Sequence, residues 1–257
     1  MTEQAAAPAW PRPYWQPSAE QVVLQFYVFG KFAADLAIPA ARYASGGLPD
    51  GVQLQRFQNA VLRDWEGYPL AGALGHVLKE DTPEIHEQAR IAPDVLVLRG
   101  RLADRDSLDY LRDTLGVLAG LLDVGGTVVL DPQILTLFDA AGWRRHYLVP
   151  GGAPPRHHVL ILRHAEDSPG RWRVRTRGMR KFARPDIDLR NVPERDIDRA
   201  GALCERLVEL QALGAHFSAG QPLEVDGLPG ELTIAPGGHM DDPEFNNTHV
   251  AIYWPVA

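Results

Sequence analysis

The sequence predicts an α+β protein made of two packed αβ halves, with mainly antiparallel sheets and one long amphipathic helix in each half. Two leucine-rich segments, Asp106–Asp123 and Glu194–Leu213, repeat apolar residues at the three- and four-residue spacing of one helix face. Glycine follows each segment, at Gly125 and at Gly214, as it commonly does where a helix ends. Shorter alternating or apolar segments lie before and after both helices and are typical of strands.

Composition and turn residues divide the chain into an arm (residues 1–19), an N-terminal αβ half (20–150) and a C-terminal αβ half (151–257). The sequence Gly151–Pro155, rich in glycine and proline, is the predicted linker. The prolines of the arm exclude a helix interior, and its aromatic residues predict that it lies on the domain. A recruitment peptide is the alternative role for the arm.

In the N-terminal half, the near-continuous apolar segment Gln21–Phe29 predicts a strand that is buried on both faces. The Ala-rich segment Ala33–Ala44 is compatible with a helix, although Pro39 interrupts it. The remaining elements expected before Gly151 are helices at Val52–Trp65, Thr82–Ile91 and Asp106–Asp123, and strands at Val95–Leu102 and Thr127–Asp131.

In the C-terminal half, we expect one helix, Glu194–Leu213, among short strands. Pro193 suits the first turn of that helix, and its apolar residues form one wide face. The expected strands are His158–Arg163, Arg171–Arg177, Ile187–Arg190, Leu223–Val225, Glu231–Ile234 and His249–Trp254.

The overall composition limits the classes of function. A net charge of −7 argues against general binding of nucleic acid. The N-terminal residues do not form a signal peptide, and no segment approaches the roughly 20 apolar residues that cross a bilayer, so we expect a cytoplasmic protein without a membrane partner. The single cysteine, Cys204, lies in the second predicted helix and is expected to be a small buried side chain.

One strand carries four arginines on the same face. Strand alternation places Arg171, Arg173, Arg175 and Arg177, called here the arginine row, opposite Trp172, Val174 and Thr176. The segment 171–190 holds eight basic and two acidic residues. With Arg180 and Lys181, the arginine row predicts a binding surface for an acidic protein partner or another anion. The alternative is that acidic residues elsewhere on the same protein neutralise the row.

A corner follows the arginine row. Gly178 permits a tight turn, Met179 and Phe182 have the spacing of side chains that bury together, and Pro185 fixes the entry to a second alternating run that starts at Asp186. This pattern predicts a structural connection between two strands. A contribution of the corner to an anion site is the alternative.

The segment Gly238–His249 is dense in potential metal ligands. His239, Asp241, Asp242 and His249 carry the imidazole and carboxylate groups that divalent cations accept. Their spacing matches no rigid ligand pair, and a surface loop whose Asp, Asn and Gly residues form turns explains the same composition. A divalent metal is the one cofactor that the sequence suggests, and no catalytic residue is identified.

The stretch Arg175–Ile187, with Thr176, Gly178, Met179, Phe182 and Pro185, resembles a signature of DUF4261-type uncharacterised bacterial proteins. Ala183 stands where that pattern prefers glycine. The similarity is limited to the second half of the chain. The resemblance implies a bacterial α+β protein, similar in outline to the immunity proteins that neutralise toxins, and it transfers no catalytic residue.

Three functions are consistent with these patterns. The first is a non-catalytic protein-binding module, such as an immunity or accessory protein of a toxin or secretion system. The second is a metal-dependent hydrolase that uses the His/Asp-rich loop. The third is an enzyme or sensor that holds an anionic small molecule on the arginine row. The sequence does not predict the oligomeric state.

Overall fold

The computed structural model describes residues 7–62, 65–149, 152–226, 231–242 and 244–255, without the side chains of Asn59 and Ala60. The chain divides into two compact units. Unit 1 contains residues 7–11, Val23–Leu102 and Ser107–Ala153, and unit 2 contains Arg12–Val22, Ala103–Asp106 and the residues from Pro154 onward. Residues 1–6 of the predicted arm and Gly151 of the predicted linker lie outside the described residues.

The first part of the chain alternates strands and helices. Its strands are β1 (Gln21–Gly30), β2 (Val52–Gln58), β3 (Asp94–Ala103), β4 (Gly126–Asp131) and β5 (Thr136–Asp139). Its helices are α1 (Asn59–Leu62), α2 (Gly72–Asp81), α3 (Pro83–Ile91), α4 (Asp109–Asp123) and α5 (Ala140–Tyr147).

The strand order of the first sheet is β2-β3-β1-β4-β5. Tyr27 and Phe29 of β1 belong to a buried cluster with Leu78 of α2 and Ala89 of α3. Phe26 contacts the ring of Trp143 of α5 edge to face, with 6.0 Å between the ring centroids. Because neighbouring residues of a strand point to opposite faces, β1 is buried on both sides, and this expectation is confirmed.

Helix α4 connects β3 to β4, and β1 lies between these two strands in the sheet. The five leucines that were predicted to form its apolar stripe are all buried: Leu108, Leu111, Leu115, Leu118 and Leu122. The predicted strands around α4 are also confirmed, at β3 and β4.

Two predictions for this part of the chain are wrong. The segment Val52–Trp65 was expected to be a helix, but Val52–Gln58 forms β2 and pairs with β3 in an antiparallel register. Val52 and Leu54 are spaced two residues apart between exposed glutamines, so the strand period competes with the helical one. In Ala33–Ala44, only Ala40–Tyr43 forms a 3-10 turn, which begins directly after Pro39.

The second part of the chain forms a sheet and one long helix. The strands are β6 (Leu160–Ala165), β7 (Arg171–Arg177), β8 (Asp186–Pro193), β9 (Pro222–Leu223), β10 (Leu232–His239) and β11 (Asn247–Tyr253), and the helix is α6 (Ile197–Ala212). Short 3-10 turns occur at Pro155–His158, Met179–Phe182 and Glu194–Asp196.

The second sheet has the strand order β6-β7-β8-β11-β10-β9. The pair β8–β11 is parallel, and the other pairs with a described register are antiparallel. Helix α6 packs on β7 and β8, and its residues Ala200, Cys204 and Leu207 are buried. One face of this sheet therefore forms the core of unit 2. The α+β class with mainly antiparallel sheets is confirmed.

The described part of the arm is attached to the protein through hydrogen bonds. Within unit 2, the amide groups of Tyr14 and Gln16 donate to the carbonyl oxygens of Leu213 and Gly214, which follow the last residue of α6. The side chains of Arg12 and Arg184 are fully buried, and each donates to Asp104, over 2.5 and 3.0 Å.

Both guanidinium groups also bind carbonyl oxygens at the C-terminal end of α6. Arg12 Nε donates to Ala212 O over 2.8 Å, and Arg184 Nη2 donates to Gly214 O over 2.8 Å. The carbonyl groups of the last helical turn lack partners within the helix, and the helix dipole makes this end negative. The two buried cations therefore cap α6 while Asp104 offsets part of their charge, and the arm from Arg12 onward is part of the fold of unit 2.

Candidate functional site

The arginine row lies on β7, the strand that the sequence predicts with the same bounds. Val174 and Thr176 are fully buried. The side chains of Arg173 and Arg175 are 14% and 17% exposed to solvent. The expected alternation is confirmed, but the arginines are more covered than a freely solvated row would be. Acidic and carbonyl groups of unit 2 provide that cover.

The carboxylate of Asp188 on β8 holds two guanidinium groups in place through hydrogen bonds. Arg173 Nε and Nη2 donate to the two carboxylate oxygens of Asp188 over 2.5 and 2.9 Å, and Arg190 Nε donates to Oδ2 over 2.6 Å. The Asp188 side chain is fully buried. Burial alone would lower the pKa of Arg173, but its hydrogen bonds and attraction to Asp188 and Glu244 outweigh burial and raise that pKa. Arg173 is therefore a fixed cation with a set orientation.

The loop between β10 and β11 lies along the arginine row. Glu244 Oε2 accepts a hydrogen bond from Arg173 Nη1 over 2.8 Å and lies 3.1 Å from Arg175 Nη1. The carbonyl oxygen of Glu244 accepts from Arg177 over 2.7 Å, and that of Asn246 accepts from Arg180 over 2.8 Å. The two segments that the sequence singles out separately, the cationic strand and the acidic loop, are thus partners of each other.

Phe245 fills the space between this loop and the sheet. It is 2% exposed, and the guanidinium carbons of Arg173 and Arg175 lie 5.5 and 5.6 Å from the centre of its ring. The ring of Phe245 also stacks on the ring of His249, with 4.3 Å between the centroids. Cation–π attraction and stacking therefore add to the ion pairs that hold the loop.

Lys181 does not belong to this surface, which corrects the expectation that it joins the arginines. Its side chain is fully buried, and Nζ donates to the carbonyl oxygen of His158 over 3.0 Å. The 3-10 turn after Gly178 directs Met179, Lys181 and Phe182 into the interior. Arg180, also in this turn, reaches the loop.

The corner after the arginine row is a structural connection, as expected. The fully buried carboxylate of Asp186 accepts hydrogen bonds from Thr176 Oγ1 over 2.8 Å, from Asn247 Nδ2 over 2.8 Å and from the amide group of Met179 over 3.4 Å. Burial raises the pKa of Asp186 to about 6, although these hydrogen bonds favour its charged form. Met179 and Phe182 are both fully buried.

The structure does not assemble the four proposed metal ligands into a site. Within the residues that are described, no group of three or more His, Cys, Asp or Glu side chains is placed to hold a metal ion. His239 lies opposite Asn247 in the β10–β11 pair. His249 is 7% exposed and covered by Phe245. Asp241 and Asp242 belong to the turn before Pro243, and Pro243 itself lies outside the described residues.

Two histidines adjoin the charged groups. Burial lowers the pKa of His249, while the Asp188 carboxylate, 3.8 Å from its Nε2, acts in the opposite direction. Burial also lowers the pKa of His164, and the nearby Arg175 and Arg173 lower it further. Both rings are therefore favoured in the neutral form near pH 7, in which an imidazole donates one hydrogen bond and accepts another.

A polar cleft of about 490 Å³ opens beside the arginine row. Its lining comes from the end of β6, from the turn between β6 and β7, and from Arg173, Arg190 and Glu244. The side chains with polar groups in its lining are His164, Glu166, Asp167, Ser168, Arg173, Arg190 and Glu244.

Sequence reasoning missed the acidic side chains that complete this site. Asp188 carried a usable signal, because it alternates with Ile187 and Leu189 and so had to lie on the face opposite the core. Arg190 follows the same alternation. Glu244 carried no such signal, since its contact with Arg173 depends on how a loop folds back over the sheet.

No protein-family model, no curated protein and no solved structure matches this chain. The resemblance to DUF4261-type proteins therefore remains a prediction. None of the helices in the described ranges has the length and apolar character needed to cross a bilayer.

Proposed function

We propose that this chain is a non-catalytic bacterial protein-binding module, in which the arginine row of unit 2 recognises an acidic surface of a partner protein. An immunity or accessory protein of a toxin or secretion system in the cytoplasm would need such a surface. The observation that carries this proposal is the pairing of Arg173 and Arg175 with the half-exposed carboxylate of Glu244, which is 47% exposed.

The two acidic partners of the row differ in how firmly the fold holds them. Asp188 is fully buried and fixes Arg173 within the fold. Glu244 reaches Arg173 and Arg175 from a surface loop, and its carboxylate is 47% exposed although the two arginines are largely covered. A carboxylate of a partner protein could therefore exchange with that of Glu244 from the solvent, while Asp188 keeps the guanidinium group of Arg173 in position.

Charge favours such an encounter. Of the eight basic residues of 171–190, Lys181 and Arg184 are buried, and the other six are partly exposed in a chain whose net charge is −7. A localised positive area on an otherwise acidic protein orients an acidic partner during diffusion and speeds association at low salt. Acidic surface elsewhere repels the same partner and so favours one docking position.

Binding of a fluorescent poly-L-glutamate chain, followed by anisotropy at low salt, tests this proposal. Arg175 suits charge reversal because Glu244 is its only acidic partner among the described residues. We expect Arg175→Glu to weaken binding at least tenfold. The matched control is Arg206→Glu, the same charge change at a 60% exposed arginine of α6.

Glu244→Gln gives the opposite expectation, because it removes the internal competitor and should strengthen binding several-fold. The proposal is overturned if the unmodified protein does not bind poly-L-glutamate at low salt, or if Arg206→Glu weakens binding as much as Arg175→Glu does.

A further inference from the structure

The lining of the polar cleft beside the arginine row carries charges of both signs. The cleft volume of about 490 Å³ falls within the range of small-molecule sites, roughly 300–1,000 Å³. Arg190 and Arg173 contribute positive charge, and Glu244 together with Glu166 and Asp167 of the β6–β7 turn contributes negative charge.

One guanidinium group of the lining keeps donors that no described protein group uses. Three guanidinium groups, those of Arg173, Arg175 and Arg190, share two carboxylates, those of Asp188 and Glu244. Among the described residues, the Arg190 side chain bonds only through Nε, to Asp188, and its two Nη groups have no protein acceptor. The buried Asp188 therefore holds Arg190 in place and leaves two guanidinium nitrogens for the carboxylate of a ligand.

Two carboxylates of the lining, those of Glu166 and Asp167, are not neutralised by the described part of the protein. Both carboxylate oxygens of Glu166 lie within hydrogen-bond distance of the amide group of Asn191, at 3.2 and 3.3 Å. Within the described ranges, neither Glu166 nor Asp167 forms an ion pair with any basic side chain. A backbone hydrogen bond positions Glu166 but leaves its negative charge available for a ligand.

We propose that this cleft binds a free α-amino acid, with the ligand carboxylate on Arg190 and the ligand ammonium group on Glu166 and Asp167. A simple anion would meet the two turn carboxylates, and a simple cation would meet Arg190. Only a ligand that carries both charges matches both kinds of lining group. The neutral ring of His164, which also lines the cleft, supplies a further donor or acceptor. This inference does not require the proposed function, because a free amino acid needs no protein partner, but Arg173 and Glu244 belong to both sites.

The test is isothermal titration calorimetry of the full chain with each of the common L-amino acids in turn. For each amino acid that binds, the matched probes are its analogue without the amino group and its analogue without the carboxylate. We expect at least one amino acid to bind and both of its analogues to bind at least tenfold more weakly. The proposal is overturned if no amino acid binds, or if either analogue binds as well as the amino acid.

Two substitutions assign the site to this cleft. We expect Glu166→Gln and Arg190→Gln each to weaken amino-acid binding at least tenfold, and Arg206→Gln to leave it unchanged. Because Arg190 also bonds the buried Asp188, thermal unfolding is recorded for each variant, and Glu166→Gln decides the matter if Arg190→Gln does not fold. Binding that survives Glu166→Gln overturns the proposal.

One variant distinguishes failure of the proposed function from failure of the amino-acid site. Arg175 does not line the cleft, so Arg175→Glu should weaken poly-L-glutamate binding at least tenfold and leave amino-acid binding measurable.

Discussion

The hydroxyl group of Thr176 donates a hydrogen bond to the buried carboxylate of Asp186 over 2.8 Å, and the same hydroxyl oxygen accepts one from the amide group of Ile187 over 2.8 Å. These bonds join β7 to β8 at the corner that the sequence marks with Gly178 and Pro185. Thr176, one residue of the DUF4261-like signature, thus has a direct structural role.

Asp186 should make the stability of the protein depend on pH. Its pKa is raised from 3.8 to about 6 by burial, so the folded state binds more protons than the unfolded state between these values. Stability from this group is therefore greatest below pH 4 and is lost as the pH rises to 6, by roughly 3 kcal/mol in total.

Urea unfolding of the wild type and of Asp186→Asn between pH 4 and pH 7 measures this effect. The asparagine variant lacks the titrating group, so the difference in unfolding free energy between the two proteins should change across this interval. A difference that stays constant with pH would contradict the assignment.

Arg12 should be essential for the stability of unit 2. Its fully buried side chain joins Asp104 to the C-terminal end of α6. Breaking a buried ion pair by removing one partner costs about 3–5 kcal/mol, so we expect Arg12→Met to lower the unfolding free energy by that amount. Arg206→Met removes an exposed pair with Glu209 and should cost about 1 kcal/mol or less. Equal effects in chemical denaturation would refute this role for Arg12.

Gly214 and Gly220 form a matched pair for substitution by alanine. Both have a positive φ, +107° and +74°, which costs an alanine about 1–2 kcal/mol. A Cβ atom at Gly214 would lie 2.3 Å from Cα of Trp15, whereas nothing lies within 4 Å of one at Gly220. We expect Gly214→Ala to lower the melting temperature clearly more than Gly220→Ala does. The opposite order would show that the arm does not pack closely at this glycine.

Phe245 should control the protonation of His249. Its ring covers the imidazole, and burial is the main cause of the lowered pKa of His249. We expect Phe245→Ala to raise that pKa toward the ordinary value of about 6.5, as followed by nuclear magnetic resonance of the ring protons. His164, which does not stack on Phe245, is the internal control. An unchanged titration of His249 would mean that the sheet alone buries it.

The elements that sequence predicted well have strong, unbroken patterns. Helices α4 and α6 carry long leucine stripes, and β7 alternates over its full length. Helix α5 was missed because its eight residues are too few for a clear period. Strand β2 was mistaken for a helix because Phe57, Val61 and Leu62 continue its apolar pattern at helical spacing.

The site was predictable only in part. The arginines could be placed on one face of β7 because the direction of side chains in a strand follows from its own sequence alone. Their pairing with Asp188, and above all with Glu244, depends on which strands become neighbours and on how a loop folds over them. Local periodicity predicts neither which strands become neighbours nor how the loop folds. Lys181 was misplaced because its position depends on the direction of a single 3-10 turn.

The attachment of the arm has a consequence for synthesis on the ribosome. Arg12 lies 200 residues before Ala212, whose carbonyl group it caps. At about 5–20 residues per second, the nascent chain must wait roughly 10–40 s between the translation of one and of the other. During that interval Arg12 lacks its partner at the end of α6, so assembly of unit 2 cannot finish before Ala212 has left the exit tunnel.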